Sequence, residues 1–138
     1  MQSRLNPYIG FKDNAREAME FYQTVFGGTL ELHTFKEYHA SQDPSEDDKI
    51  MHAVLEAENG ITFMAADTPN SMEYSAGSNV SMSLSGDDEG ALRGYYEKLS
   101  AGGAIRMPLE AAPWGDTFGM CADRFGIEWM VNILGQSG

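Results

Sequence analysis

At 138 residues the chain is long enough for one domain to bury roughly two-thirds of the surface its unfolded form exposes, so it needs no metal or disulfide staples. Lys and Arg number 9 against 21 Asp and Glu, and the resulting formal charge of -12 repels nucleic-acid backbones and anionic membranes, so neither is an expected partner. The single cysteine, Cys121, forbids an internal disulfide, the amino terminus lacks the basic and apolar stretches of a secretory leader, and no apolar run approaches the ~20 residues of a membrane span; together these point to the cytoplasm.

The first predicted strand runs from Leu5 to Lys12, where Pro7, Ile9 and Phe11 alternate with more polar residues. A helix follows, with Asp13 or Asn14 as its cap. Ala15, Ala18, Met19, Tyr22, Val25 and Phe26 recur at helical spacing until Gly27-Gly28 ends it. Strands are then predicted over Thr29 to Lys36, Ile50 to Glu58 and Ile61 to Ala66, the last two joined by a tight turn at Asn59-Gly60. The acidic run Asp43 to Asp48 reads as a solvated loop, because like charges repel and stay exposed. After a polar linker the order repeats. A strand spans Asn79 to Gly86, and Asp87 or Asp88 caps a helix carrying Ala91, Leu92, Tyr95, Tyr96 and Leu99 before Gly102-Gly103. Strands over Ala104 to Leu109, Phe118 to Asp123 and Ile127 to Leu134 complete the chain.

An offset of about 73 to 75 residues superimposes strand, cap, the pair Phe21-Tyr22 on Tyr95-Tyr96, and the double glycines, which identifies an internal duplication. The expected fold is α+β: two tandem βαβββ modules, 1–67 and 79–138, joined by a linker over 68–78 in one domain spanning 1–138. Their strands are expected to form a curved mixed sheet around a cleft, with the helices on the outer face. The period of two assigns faces. Met51, Ala53, Leu55, Ile61, Phe63, Ala65, Trp129, Val131 and Ile133 are expected in the core. Ile50, His52, Val54, Glu56, Thr62, Met64, Ala66, Glu128, Met130 and Asn132 are expected on the opposite, cleft side.

Asn6-Pro7-Tyr8-Ile9-Gly10-Phe11, the stretch Asn14 to Tyr22 leading to Phe26-Gly27-Gly28, Lys49-Ile50-Met51-His52-Ala53, and Asp123 to Asn132 carry a resemblance across nearly the whole chain. The sequence resembles the PhnB-like branch of the vicinal oxygen chelate superfamily, which includes glyoxalase I, bleomycin and fosfomycin resistance proteins and extradiol dioxygenases. Members of that branch are often labelled methyltransferase-like. The resemblance implies no methyl-donor site, and the chain has no glycine-rich strand-to-helix turn for such a donor. It does imply a divalent metal, held in catalytic relatives by His, Glu or Gln, that polarises substrate oxygens. The corresponding positions here are Asn6 or Tyr8, Asn79 or Ser81, Met64 and Met130, none a strong ligand for a hard or borderline ion. No metal and no other cofactor are therefore expected.

The expected ligand pocket comprises Tyr8, His52, Met64, Ser81, Trp114, Phe118, Met130 and Asn132. His52 is the candidate catalytic residue, as a substrate contact or a general base titrating near neutrality; the alternative is a satisfied structural imidazole. Asn132 is the polar contact, since an amide both donates and accepts. By resemblance Trp114 borders the pocket; a plug over the sheet edge is its other reading. His33 and His39 are expected at the surface, Glu128 at the rim, Asp67 as a cap of the linker, and Cys121 as a buried, inert thiol. Methionine is abundant at 9 residues, several on predicted strands, which suits either an adaptable pocket lining or ordinary core packing. The expected function is that of a small-molecule binding protein of the glyoxalase and bleomycin-resistance type, pairing with itself as a homodimer, that has lost the usual metal ligands. The alternative is a metal-assisted or histidine-based lyase, isomerase or dioxygenase of the same superfamily.

Overall fold

The computed structural model describes residues 6–38, 43–58, 60–72, 74, 77 and 80–135. Leu5, His39, Asn59 and Asn79, and with them the predicted starts of two strands, lie outside the described residues. The chain divides into two compact units, Met1–Ala76 and Gly77–Gly138.

In the first unit the order is β1 (Tyr8–Phe11), α1 (Ala15–Phe26), β2 (Thr29–Thr34), one 3-10 turn (Pro44–Glu46), β3 (Ile50–Glu56) and β4 (Thr62–Asp67). In the second it is β5 (Met82–Gly86), α2 (Glu89–Ser100), β6 (Ala104–Ala111), β7 (Thr117–Ala122) and β8 (Glu128–Ile133). Each unit is a βαβββ module with its own four-stranded mixed sheet, ordered β1-β4-β3-β2 and β5-β8-β7-β6. The first strand of each module runs parallel to the last, and the remaining pairs are antiparallel.

Each helix covers one face of its own sheet because its apolar stripe matches that face. On α1 the buried residues are Ala15, Ala18, Met19, Tyr22, Val25 and Phe26, the six that set its helical period. They meet Ala53, Leu55, Phe63 and Ala65, with the Tyr22 and Phe63 rings edge to face at 5.2 Å. On α2, Leu92, Tyr96 and Leu99 are buried, and in that sheet Cys121, Trp129, Val131 and Ile133 form the core. The Tyr96 hydroxyl donates to the Met107 carbonyl at 3.0 Å.

The double glycines have one cause in both modules. Gly27 and Gly102 adopt φ of +74° and +82°, a left-handed turn out of the helix. The next residue then passes hard against a strand end. A Cβ on Gly28 would lie 2.2 Å from the Glu56 carbonyl oxygen, and one on Gly103 2.0 Å from that of Ala122.

Four expectations about local structure are corrected. Asn14 occupies the cap position of α1 but its side chain makes no cap; Asp67, buried at the end of β4, accepts from Ala15 N and Ile50 N, both at 2.9 Å. Asp67 thus ties the helix start to two strands rather than capping the linker. Ile50 is fully buried instead of facing away from the core, because a bulge opposite His33 and Thr34 adds Met51 as an extra residue and resets the alternation. The acidic run is only partly solvated: Glu46 is 3% exposed and accepts from Asn70 N at 3.1 Å, while Asp43 caps the 3-10 turn through Ser45 N. A buried carboxylate with a backbone N–H partner is retained where a bare one is not.

Candidate functional site

The sheet face turned away from α1 gathers three of the predicted residues. Tyr8 pairs in register with Met64, and the His52 ring lies 6.0 Å from that of Tyr8, tilted by 30°. Tyr8 is exposed, while His52 and Met64 are half-buried. His33, expected on the surface near the long loop, belongs to β2 and stands directly opposite His52, so both imidazoles share this face. Its Nδ1 lies 2.8 Å from Glu37 Oε2, and its ring is edge-on to Tyr38 at 5.7 Å. Sequence alternation within β2 alone does not reveal this pairing, because register is set by the partner strand.

In the second unit the corresponding face is richer. Phe118 pairs with Asn132, which pairs in turn with Ser85; Met120 pairs with Met130, and Met130 with Ser83. Trp114 is 61% exposed and packs edge to face on Phe118 at 5.6 Å. Its ring thus extends the aromatic surface beyond the sheet. Ser81 precedes β5 and is exposed, so the hydroxyls in register with Met130 and Asn132 are those of Ser83 and Ser85, neither of which is in the expected pocket. Glu128 is tied to Arg106, with Nη2 and Oε1 3.0 Å apart, in keeping with a rim carboxylate.

On this face the Asn132 side chain is held by a side-chain hydrogen bond. Its Nδ2 donates to Asp116 Oδ2 at 2.9 Å, and Asp116 Oδ1 accepts from Gly135 N at 2.8 Å. The Asn132 amide, followed by the Gly135 N–H, holds the Asp116 carboxyl below its ordinary value of 3.8. Asp116 was missed because its partners lie 16 and 19 residues downstream. The Trp129 indole N–H donates to Asp123, a buried carboxylate that also accepts from Phe125 N and Ile127 N and locks the turn into β8. Cys121 is buried and its thiol is pushed up to about 11 by burial, with Asp123 and Glu128 adding to the rise, so it stays protonated near neutrality.

Two concavities lie away from these faces. One of about 300 Å³ at the start of α1 is lined by Asp13, Asn14, Glu17, Lys49 and Asp67 among others. The other, about 200 Å³, separates α2 from β6 near Tyr96 and Pro108. Neither holds a residue of the predicted pocket.

At the positions that the resemblance implies for a divalent metal, Asn6, Tyr8, Met64, Ser81 and Met130 offer an amide, a phenol, a hydroxyl and two thioethers, and Asn79 lies outside the described residues. That donor set does not fit a hard or borderline ion.

The profile of the Glyoxalase/Bleomycin resistance protein/Dioxygenase superfamily matches residues 4–131. Protein YjdN of Escherichia coli is 28% identical over 96% of this chain and 96% of its own length. An uncharacterised protein of Mycobacterium tuberculosis is 30% identical over 95% of this chain and 74% of its own. Among solved structures, protein PA1353 from Pseudomonas aeruginosa is 35% identical, with a TM-score of 0.82 over 98% of this chain and 100% of that one. The PhnB protein from Bacillus cereus, at 24% identity and a TM-score of 0.73 over 95% and 99% of the two chains, shares the fold. With its tandem βαβββ modules and a profile match over nearly its whole length, the chain belongs to the Glyoxalase/Bleomycin resistance protein/Dioxygenase superfamily.

Proposed function

We propose that this protein binds a small organic molecule without transforming it, in the manner of the resistance proteins of its superfamily, and without a metal at the inherited position. The observation that carries this reading is the face of the second sheet. Trp114 and Phe118 supply aromatic surface, Met120 and Met130 supply adaptable apolar surface, and one anchored amide, Asn132, supplies direction. A few fixed polar groups within an apolar lining are what small-molecule sites share. Tyr8, His52 and Met64 form a second cluster of the same mixed character on the first sheet. We further propose that the protein acts in the cytoplasm as a homodimer, the commonest assembly of soluble chains. Sedimentation at micromolar concentration is expected to give twice the chain mass, and a monomer alone refutes the pairing.

The functional test combines elemental analysis of the purified full chain with thermal shifts across a small-molecule panel and a divalent-metal series. Organic hits that raise the melting temperature and lose their effect in Phe118→Ala or Asn132→Ala are expected. At a ligand concentration 100 times Kd the stabilisation is about 2.7 kcal/mol. A stoichiometric metal whose removal abolishes turnover of any panel compound overturns the reading in favour of the enzyme.

A further inference from the structure

The second sheet's face has a directional requirement that its apolar lining alone does not impose. An asparagine amide can present either its oxygen or its nitrogen, and the group it bonds decides which. Asn132 is bonded to Asp116, and an ionised carboxylate only accepts. The amide nitrogen therefore points to Asp116, as the 2.9 Å bond records, and the amide oxygen points away from it. That oxygen has no hydrogen-bond partner among the described residues, yet it is no buried orphan, so it remains open to solvent or ligand. Asp116 is itself held by the Gly135 N–H at 2.8 Å, which keeps the carboxylate from turning with the amide.

We infer that Asp116 is a positioning residue that locks Asn132 with its carbonyl oxygen outward, so that the ligand of this face carries an N–H or O–H donor at the edge of a flat, apolar body. This rests on the binding reading above. The flat body follows from the neighbouring rings of Trp114 and Phe118, and the donor follows from the fixed acceptor. A carboxylate ligand lacks the donor, and with Asp116 adjacent and a chain charge of -12 it is repelled as well. The class selected is a neutral or cationic aromatic N–H or O–H compound.

The test uses matched probes on the full chain, followed by the Trp114 indole and Asn132 amide signals in ¹⁵N-resolved NMR spectra. Indole is compared with 1-methylindole and phenol with anisole, pairs that differ in one donor. In the parent the donor member is expected to bind roughly 3- to 10-fold more tightly, the range for one hydrogen bond. Asp116→Asn preserves every heavy-atom position, but its oxygen stays with Gly135 N and its new amide nitrogen faces Asn132. Asn132 then turns over and presents its nitrogen. In this variant the donor preference is expected to disappear, and quinoline, which only accepts, is expected to gain affinity over the parent.

Equal affinity within both pairs in the parent, with Trp114 shifting in each, overturns the inference and leaves the binding reading standing. A donor preference that persists unchanged in Asp116→Asn overturns the role of Asp116. No shift at Trp114 or Asn132 with any probe sinks the binding reading and the inference with it. The parent comparison needs no variant, so it decides even if Asp116→Asn folds poorly.

Discussion

Three buried carboxylates among the described residues, Glu46, Asp67 and Asp123, each accept from backbone N–H groups, and this explains their tolerance in the interior. Asp67 is the most consequential, because it satisfies the first turn of α1 and the first residue of β3 together. Asp67→Ala leaves two buried donors unpaired and is expected to cost about 2–4 kcal/mol, read from the shift of a urea midpoint at constant m-value. Asp67→Asn keeps an acceptor oxygen and is expected to cost less; equal losses in the two variants would assign the effect to packing. Asp116 gives a pH dependence with a definite sign. Its folded-state pKa is depressed, so its contribution is present above the unfolded value near 3.8 and is lost as pH falls through the lower folded value. The Asn132 side-chain amide signal is expected to follow this titration with a midpoint below the ordinary value of 3.8. A midpoint above that value would contradict the hydrogen bonding assigned to this carboxylate.

At the scale of elements, the double glycine after each helix separates two effects usually merged. Gly27 needs only a positive φ, with open space around the missing Cβ, whereas Gly28 needs a positive φ of +89° and also the absence of any Cβ beside Glu56. Gly27→Ala is expected to cost about 1 kcal/mol and Gly28→Ala about 2–4 kcal/mol, with Gly103→Ala near the latter. Thermal denaturation of the three variants checks the ranking, and a Gly27→Ala variant as damaged as Gly28→Ala would show that backbone strain, not the close approach, dominates. The edge strand β6 carries Pro108, two irregularities of register and the Arg106 charge, features that protect a strand edge from pairing with other chains. Its alternation is correspondingly weak, and its extension to Ala111, two residues beyond the predicted Leu109, reflects pairing with β7 rather than any local preference.

Across the whole molecule the acidic excess sets the solution behaviour. Raising ionic strength from about 10 mM to about 150 mM shortens the screening length from ~30 to ~8 Å, which relieves the self-repulsion of a chain carrying -12. The melting temperature is expected to rise over that range. A fall would mean that the partly exposed ion pairs, Lys49 with Asp13 and Arg106 with Glu128, outweigh the net charge. The duplication, the order of elements in both modules, the six-residue core stripe of α1 and the core faces of β4 and β8 were legible in the sequence alone. The duplication shows as a repeat at a fixed offset, and the rest depend on a period of 3.6 or 2 that neighbouring residues impose on one another. Only the tertiary structure decided that Asp67 rather than Asn14 satisfies the first turn of α1, that a bulge turns Ile50 inward, that His33 stands across from His52, and that Asp116 fixes the Asn132 amide. Each of these rests on strand register or on a contact between residues distant in sequence, and local periodicity carries no information about which distant backbone group a side chain will meet.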